Sequence, residues 1–291
     1  MTPPTVSVLT TAFNRECCVG AAIESVLSSS FGDLELIVVD DCSTDGTVEV
    51  ARRYLSDPRV QVHRNERQLG DYPNRNRAAS LARGKYLKYV DSDDLIYPHG
   101  LEVMIRALER FPDAAFGVPS PPLPDRPHPV RLSPQEAYRE HYLQGGLLYI
   151  AATSALVRRQ AFEQAGGFSG KRHVGDTELW LKLAAQAPVV KLMPGLVWLR
   201  RDGSPDQECM IGEATSVRVS LIYGVDREAL LDPSCPLSPE EHAVALARLE
   251  HRQARRVLHL GLRQRRLAAA LRVMRETGVS PGALVQAGFR A

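Results

Sequence analysis

Residues 84–94 have the sequence GKYLKYVDSDD, in which a short apolar strand runs directly into three carboxylates. A single Asp at the end of a strand is ordinary turn chemistry. Three acids within four residues repel one another unless a positive charge lies among them. Mg²⁺ and Mn²⁺ are candidates, because such ions are bound by one or two carboxylates together with water and substrate phosphates. The stretch therefore predicts either a metal site or a solvated acidic turn.

The chain around this stretch alternates between β-rich runs and helical patterns of apolar residues. Predicted strands cover residues 6–10, 34–39 and 60–63 and begin again at 86, and predicted helices cover 19–27, 43–55 and 74–83 and begin again at 98. The run at 34–39 is apolar except for Glu35, which is typical of a parallel strand buried on both faces. This alternation favours an α/β fold with a parallel, doubly wound sheet.

Polar side chains follow three of these predicted strands. They are Thr11 and Asn14 after the first strand, Asp40 and Asp41 after the second, and Asp91 and Asp93 after the fourth. In such sheets, ligands bind beyond the carboxyl ends of the strands, which meet at one edge. Solvated turns would not be expected to respect that geometry, so the pattern favours a functional site over an acidic turn.

The sequence has no GxxxxGK phosphate loop and no GxGxxG fingerprint. Glycine amides at a helix N-terminus are therefore not predicted to cradle phosphates. Carboxylates together with a metal are the remaining means of holding a diphosphate. This combination indicates a nucleotide-diphosphate donor whose leaving group is neutralised by the cation.

Five segments between residues 6 and 203 resemble, in the right order, the motifs of the inverting family 2 glycosyltransferases. They are VSVLTTAFNR at 6–15, VVDDCSTDGT at 38–47, NRNRAA at 74–79, the D-x-D motif DSD at 91–93, and GGF at 166–168 followed by GDTELWLKL at 175–183. The resemblance implies the GT-A fold, a Rossmann-like, mainly parallel sheet flanked by helices. The helical pattern beyond residue 205 adds a C-terminal helical extension.

The resemblance also implies roles for individual residues. Nucleotide-binding roles would fall to Thr11, Phe13, Asp41, Arg75, Asp91 and Ser92, and metal-binding roles to Asp93, Asp91 and Asp202. Asp41 would accept a hydrogen bond from N3–H of a pyrimidine. Three alternatives stay open: Phe13 as a core residue, Arg75 as a solvated helix arginine and Asp202 as a surface turn acid. Asp94 is predicted to be an acid at a helix start.

Asp176 is the predicted general base that takes the proton of the acceptor hydroxyl. The alternative is that Asp176 merely caps the helix that follows. Gly175 departs from the family pattern, because many members carry Glu at that position. His173, the nearest imidazole to the predicted base, is a candidate acceptor contact.

The remainder of the chain suggests three parts. Residues 1–115 are predicted to bind the nucleotide sugar, 116–205 to bind the acceptor, and 206–291 to form the helical extension. The proline-rich residues 119–134 predict an extended loop between the two halves, and 147–158 predict a strand. Residues 206–217 are poorly patterned.

From Pro239 onward, apolar residues recur at helical spacing and arginines interleave with them. We expect these helices to pack against the catalytic domain or a second copy of the chain. An anionic membrane surface is the open alternative. No nucleic-acid partner is expected.

Composition sets the broad class of protein. The 291 residues are 44% hydrophobic and 24% charged, with a net charge of +2, which is ordinary for a soluble globular protein. The five cysteines show no zinc spacing, and residues 1–5 show no basic segment of a signal peptide. We therefore expect a cytoplasmic protein, with peripheral contact to the inner face of the membrane as the open alternative.

Three functions from different classes are compared. The first is a metal-dependent inverting transferase that uses Mn²⁺ or Mg²⁺ as cofactor. It would move a sugar from a UDP- or dTDP-sugar to a hydroxyl of a carbohydrate or lipid-linked acceptor. The product would belong to glycan, polysaccharide or glycoconjugate biosynthesis. The second is a sugar-nucleotide nucleotidyltransferase, which is expected to carry a Gly-rich basic loop after the first strand; residues 11–15 lack one. The third is an inactive binding module, which is expected to have lost an acid, whereas Asp41, Asp91, Asp93 and Asp176 are all present.

Overall fold

The computed structural model describes residues 2–123, 125–200 and 205–289, the side chains of 205–216, 286, 288 and 289 excepted. The strands are β1 (Val6–Ala12), β2 (Leu34–Asp40), β3 (Val60–Arg64), β4 (Tyr86–Tyr89), β5 (Leu95–Ile96), β6 (Phe116–Pro119), β7 (Val130–Leu132), β8 (Leu156–Arg158), β9 (Val189–Leu192) and β10 (Val197–Trp198). The helices are α1 (Val19–Leu27), α2 (Thr47–Arg52), α3 (Asp71–Leu81), α4 (Gly100–Glu109), α5 (Pro134–Arg139), α6 (Arg159–Gln164), α7 (Gly175–Gln186), α8 (Pro205–Leu231), α9 (Pro239–Leu258), α10 (Leu267–Thr277) and α11 (Pro281–Phe289).

The central sheet has the strand order β3-β2-β1-β4-β8-β6-β9-β7. Neighbouring strands are parallel from β3 through β4, and β6 is parallel to β9. β8 is antiparallel to both of its neighbours, and β7 is antiparallel to β9 at the edge. The prediction of a mainly parallel sheet flanked by helices, followed by C-terminal helices, is confirmed.

β1 and β2 show why the first part of the chain forms a parallel sheet. All seven residues of β2 are buried, as expected for a parallel strand that is covered on both faces. Glu35, the acid within this run, is satisfied by Ser7 Oγ at 2.6 Å and by the guanidinium of Arg83. The register pairs Thr11 with Val39, so β1 and β2 end side by side at one edge of the sheet.

Two expectations about irregular segments are wrong. The end of the proline-rich stretch forms β7, an edge strand rather than a loop, with Val130 and Leu132 buried. Most of residues 147–158 is not strand: Ala152–Ser154 form a 3₁₀ turn, and only β8 pairs in the sheet. A short apolar run indicates burial but does not distinguish a buried turn from a buried strand. Residues 206–217, which lack a clear pattern, lie in α8.

The C-terminal helices pack against elements within residues 116–205. α9 begins with a capping box between Ser238 and Glu241, and Glu241 also accepts from Arg139 Nε at 2.6 Å. This contact joins α9 to α5. No helix in the described part of the chain is both long and apolar enough to span a membrane. The boundaries at 115/116 and 205/206 stay predictions, and the sheet itself includes strands from both of the first two parts.

Candidate active site

The predicted polar residues lie beyond the ends of β1, β2 and β4, which we call the carboxylate edge. Asp41 follows β2 directly, and its backbone N–H donates to the carbonyl of Ala12 at 2.8 Å. Thr11 is half-buried near the end of β1. Asp91 lies two residues after β4. Parallel pairing of the three strands therefore brings the predicted groups to one edge, as the topology requires.

Asp41 anchors the loop after β3. Its carboxylate is buried and accepts from Asn65 Nδ2 and from the backbone N–H groups of Leu69 and Gly70, each at 2.8 Å. These donors fix the position of the carboxylate at the end of β2. A carboxylate has about four lone-pair sites, so these three bonds leave capacity for one more donor. The predicted contact with a pyrimidine stays a prediction.

Asn14 and Phe13 form the turn after β1. Asn14 has a positive φ of 52° and fixes the segment after β2, because its backbone N–H donates to Ser43 Oγ and its Oδ1 accepts from the N–H of Thr44. Strained residues of this kind are common at functional sites. Phe13 is 41% exposed, so the alternative of a core residue is wrong. Its aromatic face is accessible at the carboxylate edge.

Arg75 and Asp91 form a bidentate ion pair. Arg75 Nη1 and Nη2 donate to the two Asp91 oxygens at 2.6 and 3.0 Å, and its Nε donates to Asp71 Oδ1 at 2.8 Å. Arg75 is buried, so the alternative of a solvated arginine is wrong. Burial acts to lower the pKa of Arg75, but Asp91 and Asp71 outweigh it and raise that pKa. The helix from Asp71 thus supplies a permanent cation to the D-x-D motif.

Asp93 is the more exposed of the two acids in the D-x-D motif. Its side chain is 29% exposed, and Arg15 Nε lies 3.9 Å from Oδ2. Partial burial and then the charge of Asp91 raise its pKa. Such a raised pKa indicates negative charge that the surrounding cations compensate only in part.

Asp94 is not the helix-start acid that the sequence suggested. β5 follows it, and α4 begins only at Gly100. Its Oδ1 accepts from the backbone N–H of Arg200 at 2.9 Å, because the antiparallel pair of β5 and β10 brings residues 198–200 alongside the acids. Burial and then Asp91 raise the pKa of Asp94 to about 6.

Lys88, a residue that sequence reasoning missed, lies close to the charges of Asp91 and Asp94. Its ammonium is fully buried and donates to the carbonyls of Thr153 and Ala155. Burial lowers its pKa to about 7, an effect that Asp91 and Asp94 partly offset. The Thr153 hydroxyl accepts from the N–H of Asp91 at 3.0 Å. Lys88 therefore fixes the turn that positions the D-x-D backbone.

Asp176 lies in the first turn of α7, close to Arg75 and Asp91. Its Oδ1 is buried and has no hydrogen-bond partner among the described residues. Burial raises its pKa to about 6; Arg75 opposes that shift, whereas Asp91 adds to it. The N-cap of α7 is Val174, without a side-chain cap bond, so Asp176 is not the capping residue.

Tyr72 shapes the surroundings of Asp176. Its hydroxyl lies 3.4 Å from the backbone nitrogen of Asp176, and its ring packs at a tilt of 36° against Phe168 of the GGF segment, with the ring centroids 5.2 Å apart. A Cβ on Gly175 would lie 2.9 Å from two Tyr72 ring atoms. The departure from the family pattern at Gly175 therefore has a steric reason. Only the fold reveals Tyr72, because it lies 104 residues away from Asp176.

The remaining predicted residues are Ser92, His173 and Asp202. Ser92 is buried, and its nucleotide role stays a prediction. His173 has a positive φ of 68°, and burial and then Arg172 lower its pKa. Its side chain is half-buried near the start of α7. Asp202, the third predicted metal ligand, lies outside the described residues.

The donor atoms at the carboxylate edge suit a hard divalent cation. Asp93 offers a carboxylate that is short of positive partners, whereas both oxygens of Asp91 already accept from Arg75. Among the described residues, no group of three or more His, Cys, Asp and Glu side chains is placed to hold a metal ion. One or two carboxylates are the usual protein share of an Mg²⁺ shell, which substrate phosphates and water complete. The residues therefore fit such an ion, and the metal-binding role of Asp93 stays a prediction.

The family follows from a direct comparison. Residues 7–166, more than half of the chain, match the model described as "Glycosyl transferase family 2". The chain belongs to glycosyl transferase family 2. This membership confirms the resemblance seen in the motifs and favours a glycosyltransferase over a nucleotidyltransferase.

Relatives and solved structures agree with the family 2 assignment. The chain is 37% identical over 109 residues to "Putative glycosyltransferase EpsE" of Bacillus subtilis, covering 37% of this chain and 39% of that one. It is 29% identical over 197 residues to an "Uncharacterized glycosyltransferase" of Haemophilus influenzae, covering 61% of each. The aligned regions thus span less than two thirds of either relative.

Two solved structures share the fold. S. aureus TarS 1–349 in complex with UDP-GlcNAc has a TM-score of 0.61 and 17% identity, over 97% of this chain and 93% of that one. The mannosyltransferase PcManGT of Pyrobaculum calidifontis, in complex with GDP-Man and Mn²⁺, has a TM-score of 0.65 and 18% identity, over 100% and 80%. At these identities the likeness establishes the GT-A fold.

Proposed function

We propose that this family 2 protein is a metal-dependent inverting glycosyltransferase. It would move a sugar from a nucleotide-diphosphate donor, with UDP- and dTDP-sugars favoured, to a hydroxyl of a carbohydrate or lipid-linked acceptor in polysaccharide or glycoconjugate biosynthesis. The observation that carries the proposal is the buried, unpartnered Oδ1 of Asp176 beside the Arg75–Asp91 pair. The complexes of the two structural neighbours with UDP-GlcNAc and with GDP-Man support a nucleotide-sugar donor.

The donor would lie along the carboxylate edge. Residues 1–115 would form the donor half. The base would be contacted by Thr11, Phe13 and Asp41. The adjoining part of the nucleotide would be contacted by Arg75, Asp91 and Ser92. Asp93 would hold Mn²⁺ or Mg²⁺, a role that the Mn²⁺ complex of one neighbour supports. When bound, the ion would neutralise charge on the departing diphosphate. Arg75, a permanent cation next to Asp91, would add to this electrostatic stabilisation.

Asp176 would act as the general base. A carboxylate takes a proton well when its pKa is close to the working pH, and burial raises the pKa of Asp176 to about 6. The backbone of α7 fixes the direction of the side chain, and Tyr72 closes one side of the carboxyl group. Residues 116–205, which include Asp176 and His173, would present the acceptor, and 206–291 would support them. Contacts with a membrane or a second copy stay predictions.

Two substitutions separate donor binding from chemistry. Asp93→Ala should abolish the Mn²⁺-dependent binding of UDP in calorimetry, as EDTA should in the wild type, because the metal loses its main carboxylate. Asp176→Asn should keep the affinity for UDP but lower turnover by about 10²–10⁴-fold, because an amide cannot accept the proton. Product NMR should show inversion at the anomeric carbon.

Matched controls make these results specific. Asp113→Ala removes an exposed aspartate that pairs with Arg131, and Glu178→Gln removes an acid from the same helix turn as Asp176. Both should behave as the wild type. UDP binding that is equal with Mn²⁺, with EDTA and in Asp93→Ala would refute the metal site. Normal turnover of Asp176→Asn, or retention of configuration, would refute the base or the inverting mechanism.

A further inference from the structure

A cavity of about 420 Å³ lies between the segment 141–149 and helix α9. We call it the arginine cavity; His141, Gly145, Tyr149, Arg248 and Arg252 line it, among others. Its volume falls within the roughly 300–1,000 Å³ of small-molecule sites. The cavity therefore has room for a group larger than a single inorganic anion.

A buried polar network holds the cavity in shape. Asp226 is fully buried, and its carboxylate accepts from the Tyr149 hydroxyl and from Arg252 Nη2 at 3.1 Å. His141 Nδ1 accepts from the N–H of Leu148 at 3.1 Å, which places the ring hydrogen on Nε2, 3.4 Å from Asp226 Oδ1. Burial and then Asp226 raise the pKa of Tyr149, which keeps the phenol protonated as a donor. Both rings are thus fixed before any ligand arrives.

The charge that lines the cavity is positive. Arg248 and Arg252 lie one helical turn apart on α9, and no acidic side chain is among the described residues of the lining. Arg252 pairs with Asp226, whereas the hydrogen bond that Arg248 donates goes to the carbonyl of Leu143. Arg256, one turn further on, has its pKa lowered by burial and then by Arg252, which shows that cations crowd this side of the helix. The cavity is therefore suited to an anion.

One hydrogen-bond donor at the cavity lacks an acceptor. Arg252 Nε is buried and has no partner among the described residues. Buried donors without acceptors cost free energy, and the rest of the Arg252 side chain, which is 34% exposed, leaves its positive charge accessible to an anion. A guanidinium presents its donors in a planar fork that matches the oxygens of a phosphate. Two such forks lie one turn apart on this wall.

The cavity is connected to the carboxylate edge by a short piece of chain. Thr153 lies four residues after Tyr149, and its hydroxyl accepts from the N–H of Asp91. Four residues span at most about 14 Å when fully extended. The cavity wall at Tyr149 is therefore within about 14 Å of Thr153, the residue that contacts the D-x-D backbone.

We propose that the arginine cavity binds a phosphate group carried by the acceptor. This inference rests on the proposed glycosyltransferase function. The phosphate could belong to a polyol or sugar phosphate, or to the diphosphate of a lipid carrier, since both present the same oxygens to Arg248 and Arg252. The acceptor would thereby be held by its charge while a hydroxyl is presented to Asp176.

Arg248→Gln tests the site without endangering the fold. Arg248 is exposed and donates to the carbonyl of Leu143, whereas loss of Arg252 would leave the buried Asp226 without its cation. Arg255→Gln is the matched control, because Arg255 is an exposed arginine of the same helix that does not line the cavity. Calorimetry in EDTA would use glycerol 3-phosphate and farnesyl diphosphate as probes for the two sources. We expect binding of one or both to weaken at least tenfold in Arg248→Gln and to be unchanged in Arg255→Gln.

The outcomes are distinguishable from a failure of the proposed function. Equal affinity of Arg248→Gln and Arg255→Gln for both probes would overturn the site, and so would tighter binding of glucuronate than of either phosphate. UDP titrated with Mn²⁺ should bind all three proteins equally. Absence of UDP binding in all three would refute the donor site instead, and the probe titrations would still decide the cavity.

Discussion

Asp176 at the carboxylate edge and Asp226 beside the arginine cavity are both carboxylates inside the protein, but their surroundings are opposite. Asp226 accepts hydrogen bonds from Tyr149 and Arg252, with His141 at 3.4 Å. Asp176 has one oxygen without a partner among the described residues and lies near the like charge of Asp91. A satisfied carboxylate stabilises a fold, whereas an unsatisfied one is available for proton transfer.

The largest effect on stability is expected at Asp226. Asp226→Asn should lower the free energy of unfolding by about 3 kcal/mol, because the buried donors around it lose a charged acceptor, while solvent screens the 34% exposed Arg252. The new amide would also place N–H groups against the donors of Tyr149 and Arg252. Chemical denaturation would measure the change. Glu228→Gln, on the same helix and 67% exposed, should stay within about 0.5 kcal/mol of the wild type. Equal stabilities of the two variants would contradict the contrast between the regions.

Asp176→Asn should raise the free energy of unfolding, which is the opposite of the change expected for Asp226→Asn. The folded-state pKa of about 6 lies above the usual 3.8, so the folded protein loses stability as the pH rises from about 4 to about 6, and the full cost remains at higher pH. The amide removes that cost and should stabilise the protein by about 1–3 kcal/mol at pH 7.5.

The pH dependence provides the control for this prediction. Below about pH 4 the carboxyl group is protonated in both the folded and the unfolded states, so the gain should vanish there. It should grow between about pH 4 and 6 and then level off. Denaturation of both proteins at pH 3.5, 5 and 7.5 would measure it. A gain that is independent of pH would mean that Asp176 is not held at a raised pKa.

A smaller effect is expected at Gly175, next to the predicted base. Alanine normally favours a helix over glycine by about 0.5–1 kcal/mol, but here its Cβ would lie 2.9 Å from the Tyr72 ring. The steric conflict with Tyr72 should outweigh the higher helix propensity of alanine. Gly175→Ala should therefore destabilise the protein by about 1–2 kcal/mol. Gly224→Ala, at an α8 position where a Cβ meets nothing within 4 Å, should instead stabilise it slightly. Thermal unfolding of both variants would show whether Tyr72 is a rigid wall of the site.

The sequence by itself determined the architecture and the location of the site. The buried pattern of β2 and the alternation of strands with helices predict a parallel sheet, and parallel strands necessarily end at one edge. Thr11, Asp41 and Asp91 could therefore be placed together from their positions after predicted strands. The motif segments identified the family, and Asp176 stood out because it opens a helix in one of those segments.

Only the tertiary structure decided which groups these residues meet. The Arg75–Asp91 pair, the contact of Tyr72 with Gly175, the burial of Lys88 beneath Thr153 and the arginine cavity beside Asp226 all join distant parts of the chain. Periodicity in a sequence records which face of an element is buried, but it carries no information about the partner across that face. Partners are set by the packing of whole elements, and for this reason the pKa of Asp176 and the charge of the cavity could be read only from the folded chain.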